Sequence, residues 1–199
     1  MIGVVDYGAG NLFSLGNSLD SLDIAWKLVQ TPAEVEAADA IILPGVGAFP
    51  DAMALLRGKG LVEPLRQAAE DKPFLGICLG MQMLFEKSYE FGETEGLGLI
   101  PGDVRPLPAL PAIKIPHMGW NELMLAHPCP LLDGVPLGAW VYFVHSFAAS
   151  TPDEYVAAYA EHGIRFPALV QRGHICGAQF HPEKSGRAGL RMLANFAHH

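Results

Sequence analysis

Apolar residues in the first half of the chain fall into short runs that alternate with stretches of helical spacing. Ile2–Asp6 is a brief apolar run and predicts a strand. Leu12–Leu22 carries apolar residues at 12, 15, 19 and 22, the stripe of an amphipathic helix. Ile24–Val29 and Ala40–Leu43 predict two more strands, the second ended by Pro44-Gly45. Asp51–Arg57 and Leu61–Glu70 read as helices. Pro64 falls in the first turn of the latter, where its missing N–H removes no helical hydrogen bond. Phe74–Ile77 is a fourth strand, and Leu79–Phe85 opens a helix. Such a βαβ series implies a parallel sheet covered on both faces.

Beyond Gly98 the pattern changes. Leu99–Arg105, Ala139–Val144, Tyr155–Ala160, Ala168–Gln171 and Ile175–Phe180 read as strands, punctuated by Pro and Gly. Ser185 is placed to N-cap a last helix, Gly186–Ala197, with Leu190, Leu193 and Ala194 inward. The expected architecture is α/β: a mixed, largely parallel central sheet flanked by helices, with a strand-rich antiparallel extension in the second half. One domain spanning 1–199 is expected, since 199 residues suffice for a sizeable core.

Half of the residues are hydrophobic and 17% are charged, which excludes a disordered chain. A net charge of −8, with no run of Lys or Arg, argues against nucleic-acid binding. No apolar stretch approaches the roughly 20 residues of a membrane span. The start, Met1-Ile2-Gly3-Val4-Val5-Asp6, lacks the basic segment and cleavage site of a signal peptide, so a cytoplasmic location is expected. Cysteines stand only at 78, 129 and 176, with no CxxC pair, so neither structural zinc nor a disulfide framework is expected. Cys176 reads as core and Cys129 as loop.

Cys78 is different. It sits in Gly76-Ile77-Cys78-Leu79-Gly80, directly after a buried strand. That is a nucleophile elbow in cysteine form, with small residues where the turn is crowded. The thiol would face the N-terminus of the next helix, which favours a thiolate, and the Leu79 N–H would face an oxyanion. Gln179-Phe180-His181-Pro182-Glu183 supplies a base, His181, and a carboxylate, Glu183, to orient it. The alternative for that pair is a solvated surface turn. The other histidines (117, 127, 145, 162, 174, 198, 199) have no such partner and read as surface or core. Pro44-Gly45-Val46-Gly47 ends a strand and reads as a second oxyanion donor or as an ordinary tight turn. Neither Gly8-Ala9-Gly10 nor Gly45-Val46-Gly47 completes a dinucleotide fingerprint, and no Walker A or HExxH pattern occurs. No cofactor and no metal are expected.

Taken together, Gly76–Gln82 and Gln179–Glu183 resemble the triad-type, class I glutamine amidotransferases. Asp6-Tyr7-Gly8-Ala9-Gly10-Asn11-Leu12, Pro44–Phe49, Pro116-His117-Met118-Gly119-Trp120-Asn121, Phe143-Val144-His145-Ser146-Phe147 and His181–Ser185 narrow the likeness to the glutaminase subunits of imidazole glycerol phosphate synthase, in histidine biosynthesis. The likeness runs from residue 2 to about 196. It implies hydrolysis of glutamine to glutamate and ammonia, with a separate synthase (cyclase) subunit using the ammonia. It also implies roles: Cys78 nucleophile, His181 base and acid, Glu183 orienter, and Leu79 with Gly45, Val46 and Gly47 as oxyanion donors. Gln82, Glu90 and the backbone of His145, Ser146 and Phe147 would hold glutamine. Asn11, Trp120, Tyr142 and Lys184 would lie near the partner. Three readings compete. The glutaminase of anthranilate or aminodeoxychorismate synthase would carry Pro-Gly-Pro-Gly where this chain has Pro44-Gly45-Val46-Gly47. A noncatalytic binding module would have no need of the intact Cys-His-Glu set. A cysteine peptidase is disfavoured by Gln82 and the amidotransferase-type blocks.

Overall fold

The computed structural model describes residues 1–111 and 113–198; His199, half of the terminal histidine pair, lies outside the described residues. The first half runs β1 (Ile2–Val5), α1 (Leu12–Ser21), β2 (Trp26–Val29), α2 (Pro32–Ala37), β3 (Ala40–Gly45), α3 (Phe49–Gly58), α4 (Val62–Asp71), β4 (Phe74–Cys78) and α5 (Leu79–Gln82). The second half runs β5 (Phe85–Ser88), β6 (Thr94–Glu95), β7 (Ile100–Pro106), β8 (His117–Glu122), β9 (Met124–Leu125), β10 (Trp140–His145), β11 (Phe147–Ser150), β12 (Val156–His162), β13 (Ile164–Arg172), β14 (Ile175–Ala178) and α6 (Gly186–Ala197).

An eight-stranded sheet forms the centre, in the order β2-β1-β3-β4-β14-β13-β12-β9. The pairs from β2 to β14 are parallel, and those from β14 to β9 are antiparallel. This is the mixed sheet with an antiparallel extension that the pattern predicts. Side chains alternate across β1 and β3, so the sheet feeds two cores. Val4 and Ile42 pack with Leu15 and Leu19 of α1 and Leu193 and Phe196 of α6. Val5, Ile41 and Leu43 pack with Met53 and Leu56 of α3 and Leu65 of α4. A four-stranded sheet (β11-β7-β5-β6) and an antiparallel ribbon (β10-β8) complete the fold.

Several expectations change. The third strand does not end at Pro44-Gly45. It continues, with Pro44 opposite Ile77 and Gly45 opposite Cys78. Strand β1 pairs only as far as Ile42, so the missing Pro44 N–H breaks no ladder on that side. The helix expected over Leu79–Phe85 is one turn of four residues. The carbonyls of Met83, Leu84 and Phe85 accept from Leu97, Leu99 and Gly98 N–H groups, which draws the chain out into β5. Met118–Asn121 reads as a loop but belongs to β8, paired with β10. Helix α2 carries an unpredicted capping box, Thr31 with Glu34, and Pro32 in its first turn. Ser185 precedes α6, but its hydroxyl does not cap it. It donates to His181 O (2.6 Å) and accepts from Tyr142 N (3.0 Å). Along α6, Leu193 is buried as expected, with Gly189, Met192 and Phe196, while Leu190 and Ala194 are half-buried. Cys129 is buried too, packed against Cys176.

Candidate active site

The site forms where β3, β4 and β14 end together, the crevice at which open parallel sheets place ligands. Cys78 closes β4 with φ 55° and ψ −111°, a left-handed backbone that a non-glycine residue adopts only when its surroundings impose it. Those surroundings are close-packed backbone. A Cβ on Gly80 would lie 1.8 Å from Leu43 O, and one on Gly76 would lie 2.6 Å from Gly80 O. Both positions therefore require glycine, and together they fix the elbow that turns Cys78 out of the sheet.

Chain leaving β14 reaches His181 three residues later. His181 N donates to Tyr142 O (2.9 Å), which ties it to β10. Its Nδ1 lies 2.8 Å from Glu183 Oε1, and both side chains are 2% exposed. The pair is therefore buried and not a solvated turn. Burial opposes the imidazolium, but Cys78 and then Glu183 outweigh it and push His181 up to about 9. His181 Nε2 and Glu183 Oε2 are buried and have no hydrogen-bond partner. Cys78 is thus near enough to stabilise charge on His181 without an aligned hydrogen bond, as is common in unliganded sites. The helix that follows Cys78 is a single turn and has little dipole.

Around Cys78 opens a cavity of about 320 Å³, lined by Val46, Gly47, Cys78, Leu79, Gln82, Glu90, Pro116, Val144, His145, Ser146, Phe147 and His181. All the expected oxyanion and substrate positions meet there except Gly45. That residue lies in the ladder opposite Cys78, and a Cβ on it would meet Gly80 N at 2.8 Å. Gly47, with φ 94° and open space beside it, turns the chain beyond β3, where Val46 and Gly47 line the cavity. Gln82 Nε2 donates to Phe147 O (3.1 Å) and Gln179 Oε1 (3.0 Å). Glu90 Oε2 accepts from Phe49 N (2.8 Å) at the start of α3. Pro116, Val144 and Gln179 were not singled out from the sequence. Cys78 Sγ lies 3.7 Å from Val144 O, and Gln179 Nε2 approaches the sulfur at 4.0 Å. Tyr7 is also new. Burial, then Cys78, pushes its phenol well up, and its buried hydroxyl lacks a partner. Among the described residues no cluster of His, Cys, Asp and Glu could hold a metal ion.

The four expected interface residues surround the outer side of the triad. The Trp120 and Tyr142 rings meet edge-on at 6.1 Å, and Lys184 Nζ lies 5.9 Å from the Tyr142 ring. Asn11 shares a small cavity behind the triad with His181 and Glu183. Trp120 is 52% exposed and Trp140 57%, so the outer ribbon face is apolar and open.

Residues 3–199 match the family model for class-I glutamine amidotransferases, and fold and site together define a member of that class. Solved structures agree on the fold. A glutamine amidotransferase superposes with a TM-score of 0.77 at 22% identity, covering 99% of this chain and 97% of its own. The PurLQS structure from Thermotoga maritima gives 0.74 at 18%, covering 99% and 97%. Among curated proteins, the imidazole glycerol phosphate synthase subunit HisH of Desulfitobacterium hafniense is 54% identical over 98% of this chain and 93% of its own. That of Moorella thermoacetica is 49% identical over 98% and 93%. The chain belongs to this HisH family of class-I glutamine amidotransferases.

Proposed function

We propose that the chain hydrolyses glutamine to glutamate and ammonia at Cys78 and delivers the ammonia to a synthase subunit that makes imidazole glycerol phosphate. The observation that carries this reading is that the strained Cys78 elbow and His181, held from behind by the buried Glu183, share one cavity of about 320 Å³. That volume suits an amino-acid-sized ligand.

In this reading the Cys78 thiolate attacks the side-chain amide carbon, and the carbonyl oxygen takes the negative charge. The N–H groups of Leu79 and of the loop at Val46 and Gly47 receive it, each contributing about 3 kcal/mol. His181, protonated at neutral pH, gives its proton to the departing amine, which leaves as ammonia. A thioester remains on Cys78. His181 then removes a proton from water, hydroxide attacks the thioester, and glutamate leaves with Cys78 restored. Glu183 holds the imidazole by Nδ1 throughout. Gln82, Glu90 and residues 145–147 wall the substrate. The exposed face of Trp120, Tyr142 and Lys184, with Asn11 behind, receives the synthase. That places the partner against the triad's outer side, and the acidic chain suits a basic docking face. Among the described residues no helix is long and apolar enough to cross a membrane, and a cytoplasmic setting is proposed.

The test is Cys78→Ala in the complex with the synthase. Glutamine-driven synthesis should vanish while synthesis from added ammonium salt persists. A thioester adduct detected by mass spectrometry on the Cys78→Ala protein would refute the assignment.

A further inference from the structure

Three histidines from different strands cluster beside the cavity, His117 stacked on His162 and edge-on to His145. His117 opens β8, His145 closes β10 and His162 closes β12. We propose that His117 is a positioning residue for the glutamine site: it anchors His145 at Nε2 and so keeps the His145 Nδ1–H on the Phe147 carbonyl, which holds the cavity wall at 145–147 in place. The inference rests on reading that cavity as the glutamine site.

The protons can be followed along the chain of bonds. His145 Nδ1 lies 2.8 Å from Phe147 O. A carbonyl oxygen only accepts, so Nδ1 carries the hydrogen. Burial holds His145 down to about 3, so the ring is neutral and its Nε2 is a bare acceptor. His117 Nδ1, 2.9 Å from that Nε2, must then donate. His117 is also neutral, held down to about 4 by burial and by His162, so its own Nε2 accepts. Its donor is Asn121 Nδ2 at 3.3 Å. The Asn121 amide is oriented in turn, because Nδ2 donates to Glu161 O (2.7 Å) and Oδ1 accepts from Glu122 N (2.8 Å). Each tautomer is thereby determined.

The relay is rigid and ends on the cavity wall. The His117 ring is held between His162, 4.1 Å away by ring centroids, and Phe143, 4.9 Å away. At the far end, Phe147 O accepts from both His145 and Gln82, which uses both of its lone pairs. Ser146 O accepts from Leu107 N (2.9 Å). Both carbonyls of the Ser146–Phe147 segment are therefore tied back. Remove the His117 donor, and His145 Nε2 becomes a buried acceptor with no partner. The Nδ1–H tautomer keeps Phe147 O as its acceptor, but the ring is then anchored at one nitrogen only, and its hold on Phe147 O loosens.

Two variants separate hydrogen bonding from packing. His117→Phe keeps the stack and loses the donor, whereas His117→Asn keeps an N–H close to the Nδ1 position. For glutamine turnover by the full chain with its synthase subunit, His117→Phe should raise KM about tenfold, with kcat and the KM of His117→Asn changing less than about threefold. A second readout needs no turnover. Imidazole ¹⁵N spectra of the wild-type chain should show His145 as the neutral Nδ1–H tautomer, and His117→Phe should shift the unprotonated Nε2 resonance downfield as it loses its hydrogen bond. A wild-type KM in His117→Phe, equal KM in both variants, or His145 found as Nε2–H in the wild type would overturn the proposal. Wild-type-like glutamine hydrolysis by Cys78→Ala would instead sink the active-site reading and leave the tautomer result standing.

Discussion

Replacing Glu183 with Gln should separate catalysis from stability. In the folded chain Glu183 Oε1 lies 2.8 Å from His181 Nδ1, and both side chains are 2% exposed. A charge-assisted hydrogen bond at such a site contributes about 1.5–3 kcal/mol. The reaction draws on that contribution whenever His181 carries its second proton. Gln keeps the shape and still accepts the Nδ1 hydrogen, but it withdraws the charge. The expected loss in kcat/KM is therefore about 10- to 100-fold. Stability should respond differently. Glu183 Oε2 is buried without a partner, so removing the charge also relieves a desolvation cost. The unfolding free energy should fall by less than the cost of a broken buried pair, about 3–5 kcal/mol, because Gln keeps the hydrogen bond and the carboxylate's desolvation cost is relieved. Burial and Cys78 act on His181 ahead of Glu183, so its titration should fall from about 9 without reaching the fully unsupported value. Three assays decide: glutamine turnover with the synthase, urea unfolding, and an NMR titration of His181. Wild-type turnover with an unmoved His181 titration would refute the argument that this carboxylate supports the imidazolium.

Gly80→Ala should destabilise by about 3 kcal/mol or more, because its Cβ would lie 1.8 Å from Leu43 O. Gly58→Ala, at the end of α3 with open space around it, should be neutral or mildly stabilising; equal melting temperatures for the two would refute the crowding argument. Trp120→Ala and Lys184→Ala should weaken synthase-stimulated hydrolysis while leaving the iodoacetamide labelling rate of Cys78 in the free chain unchanged, and intact stimulation in both would move the docking face elsewhere. Stability should peak near neutral pH. His181, raised to about 9, contributes stability that is complete below about 6.5 and is lost as pH climbs toward 9. His117 and His145, lowered to about 4 and about 3, favour the unfolded chain as pH falls below 6.5. A flat profile of unfolding free energy from pH 4 to 9 would contradict both arms.

The elbow was legible because its requirement is local. Gly76 and Gly80 flank Cys78 at the spacing a crowded strand-to-helix turn needs, and the backbone contacts at both glycines bear that out. The parallel strands were legible because burial on both faces makes them continuous apolar runs. What failed depends on distant partners. Helix α5 stops after one turn because residues 97–99 capture the carbonyls of residues 83–85, which no property of Leu79–Phe85 announces. Strand β8 reads as a loop because Pro116 precedes it and Gly119 interrupts it, although its period-two alternation is present: Met118, Trp120 and Glu122 outward, His117 and Asn121 on the other face. The Thr31–Glu34 capping box was a readable signal that went unused. The histidine cluster could not be read at all, since His117, His145 and His162 come from three strands that only the tertiary fold brings together.

That same ribbon gives the site its organisation. In the β8–β10 pairing, Trp120 stands opposite Tyr142 and His117 opposite His145. Because side chains alternate, these two pairs project to opposite faces of two strands. The outward pair presents aromatic surface beside Lys184, next to the Glu183 that holds His181. The inward pair runs through the histidine relay to the wall where glutamine is proposed to sit. Tyr142 itself ties the faces together, since its carbonyl receives the His181 N–H and its own N–H binds Ser185. A load on the exposed face cannot shift β10 without moving both His181 and the relay. The ribbon therefore links the face proposed for docking to both parts of the proposed site, through His145 to the substrate wall and through the Tyr142 carbonyl to His181.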